Sequence, residues 1–195
     1  PLDLSFLKAF DADVKMISDA LVYGNYRITN ADLAATVDAG VMQVERFKGN
    51  LFGGTIDSRG TVTAANPSRF DTSVSLKSLS VSDALAAVAG KKLAKGTAAL
   101  ELKLASSGYT ISDMVAALGG NGSVAMNKLD VKSGAIGTPM AAAFGLISGL
   151  NDLGGVLTGS KKKSGLADIT GTFTLDKGVA RFNDFALKSG MGNGQ

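Results

Sequence analysis

Apolar and polar residues alternate with a period of two along most of this chain, the signature of strands that bury one face. Phe70, Thr72, Val74 and Leu76 alternate with Asp71, Ser73, Ser75 and Lys77; Leu100, Leu102 and Leu104 alternate with Glu101 and Lys103. The same alternation runs through Tyr26-Arg27-Ile28 and Leu33 to Val37, so that Val14 to Thr63 predicts a β-meander with Gly49, Gly53-Gly54 and Gly60 at turns or bulges. One turn occurs twice. Val37-Asp38-Ala39-Gly40-Val41 leads to Phe47 and then Gly54, and Leu175-Asp176-Lys177-Gly178-Val179 leads at the same spacing to Phe185 and then Gly192. Asp-x-Gly between β-rich runs predicts a three-residue hairpin loop, with Asp opening a type I turn and Gly in the left-handed bulge position. The chain is therefore expected to be built from tandem hairpins.

Two short segments break the alternation. Val81 to Gly90 and Ile111 to Gly120 share Ser-Asp, Ala-Ala and a closing Gly at matching positions. Each predicts a short helix set between strands. In the first, Ser82 is the expected N-cap, Asp83 suits the positive end of the helix dipole and Gly90 the left-handed stop. Gly119-Gly120-Asn121-Gly122 is expected to be helix stop plus strand start. Ser123 to Val131 with Ser133-Gly134 and Ala135-Ile136 predicts a further hairpin. Pro139 to Leu157 is the longest helical candidate, with Met140, Phe144, Ile147, Leu150 and Leu157 near one face and Pro139 in the first turn. Gly145, Gly149 and Gly154-Gly155 weaken it. The expected fold is mainly β: a curved antiparallel sheet of tandem hairpins, with two short helices and one longer amphipathic helix packed on it. Residues 1–195 form one region, divided into a β-meander (1–79), strand–short helix–strand repeats (80–136), a helix and basic loop (137–165) and a terminal hairpin (166–195).

Composition narrows the chemistry. The 195 residues suffice for a real core, and 45% hydrophobic content excludes disorder. With 25 Gly, 3 Pro and no Trp, the balance fits Gly-, Thr- and Val-rich β-structure. There is no Cys, so disulfides and thiolate metal sites are excluded. There is no His either, which removes the usual general base, the commonest metal ligand and the Ser-His-Asp arrangement. No catalytic, cofactor-binding or metal-binding residue is expected, and no enzymatic activity. Net charge is +3, spread along the chain except at Lys161-Lys162-Lys163. The ordinary reading of that run is a solvated loop, with an anionic headgroup or nucleic-acid contact the minority reading. Aromatics make up 6% and none interleaves with the run, so no nucleic-acid partner is expected. Gly154 to Lys161 resembles a phosphate-binding loop only superficially, because its lysine comes one residue late and it follows a helical segment. Asp11 and Asp13 lack the rest of a calcium loop.

Several segments, taken in order, resemble the C-terminal region of the AsmA-like family of bacterial envelope proteins. They are Ala20 to Ile28 leading into Leu33 to Val41; Phe47-Lys48-Gly49-Asn50-Leu51-Phe52-Gly53-Gly54-Thr55-Ile56; Ile111 to Ile136; and Asp168 to Ala180. The resemblance covers nearly the whole chain. It implies a relation to repeating-groove, bridge-like lipid transfer proteins. It further implies a periplasmic location, with the parent protein anchored in the inner membrane by a helix outside this piece, and a part in outer-membrane assembly or phospholipid transport. The start without Met, already in an apolar pattern, fits a piece of a longer protein, and no run of eighteen apolar residues spans a bilayer here.

The residues and the resemblance together predict a non-enzymatic protein whose apolar strand faces solvate phospholipid acyl chains. Leu100, Leu102, Leu104, Phe173 and Leu175 are the expected lipid-contacting residues. The alternative is a structural adaptor whose apolar faces are filled by its own helices and which binds envelope proteins.

Overall fold

The computed structural model describes residues 3–92, 94–131 and 167–189. Nine strands form one open sheet in strict chain order: β1 (Ala12–Tyr23), β2 (Tyr26–Asp38), β3 (Val41–Leu51), β4 (Gly54–Thr63), β5 (Ser68–Ser80), β6 (Ala94–Gly108), β7 (Gly119–Val131), β8 (Ala167–Asp176) and β9 (Val179–Ser189). Every neighbouring pair is antiparallel. The mainly β reading therefore holds. A 3-10 turn (Ser5–Lys8) precedes β1, α1 (Val81–Ala89) joins β5 to β6, and α2 (Ile111–Ala116) joins β6 to β7. The longer helix expected at Pro139 to Leu157, the hairpin around Ser133 to Ile136, the basic loop and the last six residues lie outside the described residues.

The hairpin turns are tighter than the sequence predicts. Asp38 pairs directly with Val41, and Asp176 with Val179, leaving two-residue loops. Ala39 and Gly40 have φ of 45° and 82°, Lys177 and Gly178 of 51° and 74°. Two consecutive left-handed residues are the pattern of a type I′ turn, whose twist matches the right-handed twist of the strands it joins. Asp-x-Gly thus marks the turn correctly, but Asp is the last strand residue and the middle residue takes the strained position. The likeness between these two hairpins continues into the strands. In β3 the residue Glu45 is extra relative to β2, and in β9 the residue Asn183 is extra relative to β8. Each extra residue falls five positions after the turn glycine.

Bulges elsewhere correct the side-chain alternation. Asn30, Ser78 and Lys128 have φ of 50°, 56° and 52°, and each sits at a register shift. A step of three residues replaces an even one, so Leu79 follows Leu76 and Leu129 follows Met126 on the same face.

The helices are held at their N-termini by side chains. The cap of α1 is Ser80, not Ser82: its hydroxyl accepts from the Asp83 N–H at 3.2 Å. The helix itself begins at Val81, as expected, but β5 runs directly into it, so the cap is the last strand residue. Gly90 ends it at φ 68°, as expected. Thr110 caps α2 in a full capping box with Asp113. That helix ends before Gly119-Gly120, which already belong to β7, so this pair is strand and not helix stop.

Two apolar clusters fasten the ends of one sheet face. At the end where β1 begins, Leu7 from the 3-10 turn packs on Val37 and Ala64, with Ala12, Met42 and Val62 around them. At the opposite end Val81 of α1 packs on Ala94, Leu129 and Ile169, with Leu85, Ala98, Met126 and Leu187.

The β8–β9 turn gives a direct test. A left-handed non-glycine residue costs about 1–2 kcal/mol, partly offset by the extra freedom glycine has when unfolded. Lys177→Gly is expected to raise stability by about 0.5–1 kcal/mol. Gly178→Ala would add a Cβ at positive φ, 2.7 Å from the Val115 carbonyl oxygen, and is expected to lower stability by about 1–3 kcal/mol. Urea midpoints of the two variants check both signs.

Candidate functional site: the apolar face of the sheet

Because β-strand side chains alternate, the register assigns each residue to a face. Met16, Leu33, Phe47, Ser58, Val74, Leu102, Gly122, Phe173 and Phe182 are successive partners from β1 to β9. On one side of this row lies a second: Gly49, Ile56, Leu76, Leu100, Val124, Gly171 and Phe185. On the other lies a third, from Val14 through Ala35, Val44, Gly60, Thr72, Leu104, Gly120 and Leu175 to Ala180. None of the three contains a charged residue. The two rows that cross all nine strands are roughly 38 Å long at the usual strand spacing. The 3-10 turn and α1 pack beyond these rows, at either end of the same face.

The five residues expected to contact lipid fall together on this face. Leu100, Leu102 and Leu104 stand on β6, Phe173 and Leu175 on β8. They are joined across β7 by Val124, Gly122 and Gly120. Phe173 is buried, whereas the three leucines of β6 and Leu175 are half-buried. Strand alternation found these five. It missed their partners Leu33, Phe47, Val74 and Phe182; counting back from the Asp176–Val179 turn pairs Phe173 with Phe182, but the same count from Asp38–Val41 gives Arg46 where the bulge at Glu45 puts Phe47 opposite Leu33.

Glycine shapes the β7–β8 part of the face. A Cβ on Gly122 would lie 2.6 Å from the Phe173 ring and 2.9 Å from a Leu102 methyl, so the Phe173 ring occupies the space above Gly122. The ring centroids of Phe173 and Phe182 are 5.6 Å apart and those of Phe182 and Phe185 6.1 Å, the latter edge to face. Such pairs contribute about 0.5–1.5 kcal/mol beyond the area they bury.

The opposite face is polar. Arg46 pairs with Asp32 at 2.8 Å, Lys48 with Asp57 at 3.3 Å, and the Ser75 hydroxyl donates to Glu101 at 2.6 Å. Two shallow hollows of about 650 and 710 Å³ lie on it. Lys48, Asp57, Lys77 and Glu101 line the first, and Asp71, Lys103 and Asn121 the second, with Arg59 and Ser73 shared. Both carry mixed charge. Among the described residues no group of three or more acidic side chains is placed to hold a metal ion, and no helix is long and apolar enough to cross a membrane.

At the β8–β9 bulge the Asp184 carboxylate accepts from the Thr172 N–H at 2.6 Å and from its hydroxyl at 2.8 Å. These two bonds, the hydroxyl's first, hold its pKa below the ordinary 3.8. A depressed folded pKa stabilises the native state fully above the unfolded value, and this contribution is lost as pH falls through the folded value. Stability is therefore expected to drop as pH falls below about 4, more weakly in Asp184→Asn. Denaturant melts in acid of the two proteins check the difference in slope.

A family model described as the AsmA family matches residues 1–195, the whole chain. No curated protein matches the chain, and no solved structure does.

Proposed function

Because this chain belongs to the AsmA family, whose role is related to envelope assembly or lipid transport, we propose that its apolar sheet face solvates phospholipid acyl chains. The observation that carries this reading is the set of three uncharged rows, two of them crossing all nine strands, with Leu100, Leu102, Leu104, Phe173 and Leu175 in one patch. The mechanism is passive. Each methylene moved from water onto the face contributes about 0.8 kcal/mol, so a chain of many methylenes needs no specific anchor. The roughly 38 Å across the strands exceeds the roughly 15 Å of one leaflet's hydrocarbon, so more than one acyl chain fits. In this reading the parent protein sits in the periplasm, anchored in the inner membrane, acts without catalysis and contacts envelope proteins as well as lipid.

The test is native mass spectrometry of the protein expressed into a periplasm, followed by lipid extraction. Co-purified phospholipid at a defined stoichiometry is expected, and its loss in Leu102→Asp while the far-ultraviolet circular dichroism stays that of the parent. A lipid-free monomer would favour the adaptor, in which the face is filled by the protein itself.

A further inference from the structure

The end of the sheet that carries α1 gathers apolar and cationic groups that neither the core nor the apolar face uses. The Asn25 amide donates to the Ala87 carbonyl at 3.2 Å, fastening the β1–β2 hairpin tip to the last turn of α1. The Ser80 N–H donates to the Phe52 carbonyl at 2.8 Å, and the Tyr26 ring lies 6.1 Å from that of Phe52, so the β3–β4 turn joins the same platform. On this platform Tyr23 is 85% exposed, Val22 64%, Val88 63% and Tyr26 41%. A tyrosine left largely in water beside two exposed valines has no packing role, and fixed backbone contacts hold the group in place.

Cations surround these side chains. Arg27 follows Tyr26 on β2, and the exposed Lys91 and Lys92 follow the stop of α1 at Gly90. Lys92 reaches Asp83 at 3.3 Å, an exposed pair that leaves its charge accessible to solvent. Lys77, Lys95 and Lys128 lie near the same end of their strands. The opposite end also exposes apolar groups, Phe6, Phe10, Ile111 and Val115. There, however, Asp3, Asp11, Asp13, Asp38, Asp113 and Asp176 occupy the strand ends and connections. Lys8, Arg69 and Lys177 share that end, and Asp130 and Asp168 lie at the α1 end, so the contrast is an excess of cations at the α1 end that the other end does not share.

Tyrosine favours the boundary between headgroups and hydrocarbon, where its ring is apolar and its hydroxyl wet. Lys and Arg at a bilayer surface are drawn to anionic headgroups. We propose that the α1 end of the sheet docks on an anionic lipid surface, with Val22, Tyr23, Tyr26 and Val88 entering the interface and Arg27, Lys91 and Lys92 facing headgroup phosphates. The other end has no comparable excess of cations to draw it to that field, so the strands stand end-on to the bilayer. This goes beyond solvation of acyl chains, since it names where the lipid surface meets the sheet.

The chain has no tryptophan, which permits a clean reporter. Tyr23→Trp and, at the other end, Tyr109→Trp are each mixed with phosphatidylcholine–phosphatidylglycerol vesicles and with phosphatidylcholine vesicles. The expected result is a blue shift for Tyr23→Trp with the anionic vesicles alone, and none for Tyr109→Trp. Adding Arg27→Glu and Lys91→Glu is expected to weaken vesicle binding at least roughly thirtyfold, from about 1 kcal/mol per basic residue. Equal shifts at both ends, no shift with either vesicle, or a shift with neutral vesicles of the same size would overturn the proposal. So would a shift on concentrating the protein without vesicles, which would assign this end to a second copy of the chain. Lipid extraction from the same preparations separates the two readings. Co-purified lipid without docking sinks only the docking, and docking without co-purified lipid sinks only the acyl-chain reading.

Discussion

A β-strand presents successive side chains to opposite faces, and in an unbroken antiparallel sheet every strand inherits its parity from its neighbour. One slip of a single residue would turn an entire strand's apolar set to water. Nine strands in chain order, joined mostly by tight turns, keep this constraint by two means. Two-residue turns such as Ala39-Gly40 and Lys177-Gly178 fix the register directly. Where the apolar pattern falls out of step, a bulge at Asn30, Ser78 or Lys128 restores it, so that Leu79 and Leu129 are buried on the same face as Leu76 and Met126. The end clusters under the 3-10 turn and α1, and the uncharged rows between them, all follow from that preserved parity.

Within the preserved face, side-chain size varies as much as polarity does. Gly120, Gly122 and Gly171 on β7 and β8 face large residues on the neighbouring strands. Phe173 covers Gly122, and a Cβ on Gly120, at φ 149°, would collide with the Lys103 carbonyl oxygen. Glycine weakens a strand unless a neighbour covers it, and the aromatic rings of β8 and β9 supply that cover. The result is a surface made of rings and aliphatic branches laid over bare backbone. Such a surface suits a ligand recognised by its hydrocarbon and not by a particular polar group.

Much of this was legible in the chain, for identifiable reasons. Alternation at Leu100 to Leu104 and at Phe70 to Leu76 is a direct imprint of a half-buried strand, and the five leucine and phenylalanine positions picked from it do share a face. The Asp-x-Gly pairs marked the right turns, yet their type was misjudged, because residue preference favours Asp in the turn while strand twist demands a primed geometry with Ala39 or Lys177 in the left-handed region. Ser80 was overlooked as the cap of α1 because it also fits the preceding strand, whose polar face already carries Ser73 and Ser75. The bulges left little trace. Lys128 and Ser78 adopt left-handed backbone only because the rest of the ladder holds them there, and no residue-level preference announces that.

On the proposed reading, the face and the end of the sheet divide two physical tasks that a single surface would perform badly. Acyl chains need a neutral apolar path, since a charge among them would have to be desolvated at several kcal/mol. A bilayer surface is found first through its field, which acts on exposed cations within about a Debye length, roughly 10 Å. In this sheet cations outnumber carboxylates at the strand ends beside Tyr23 and Tyr26, and the rows through Leu102 and Phe173 have none. The antiparallel meander makes the separation possible: the crossing direction of the strands builds the long neutral rows, and the strand direction carries the difference in charge between one end and the other. On that reading a change at Arg27 acts on encounter with the lipid surface, while a change at Leu102 acts on what the face holds once there.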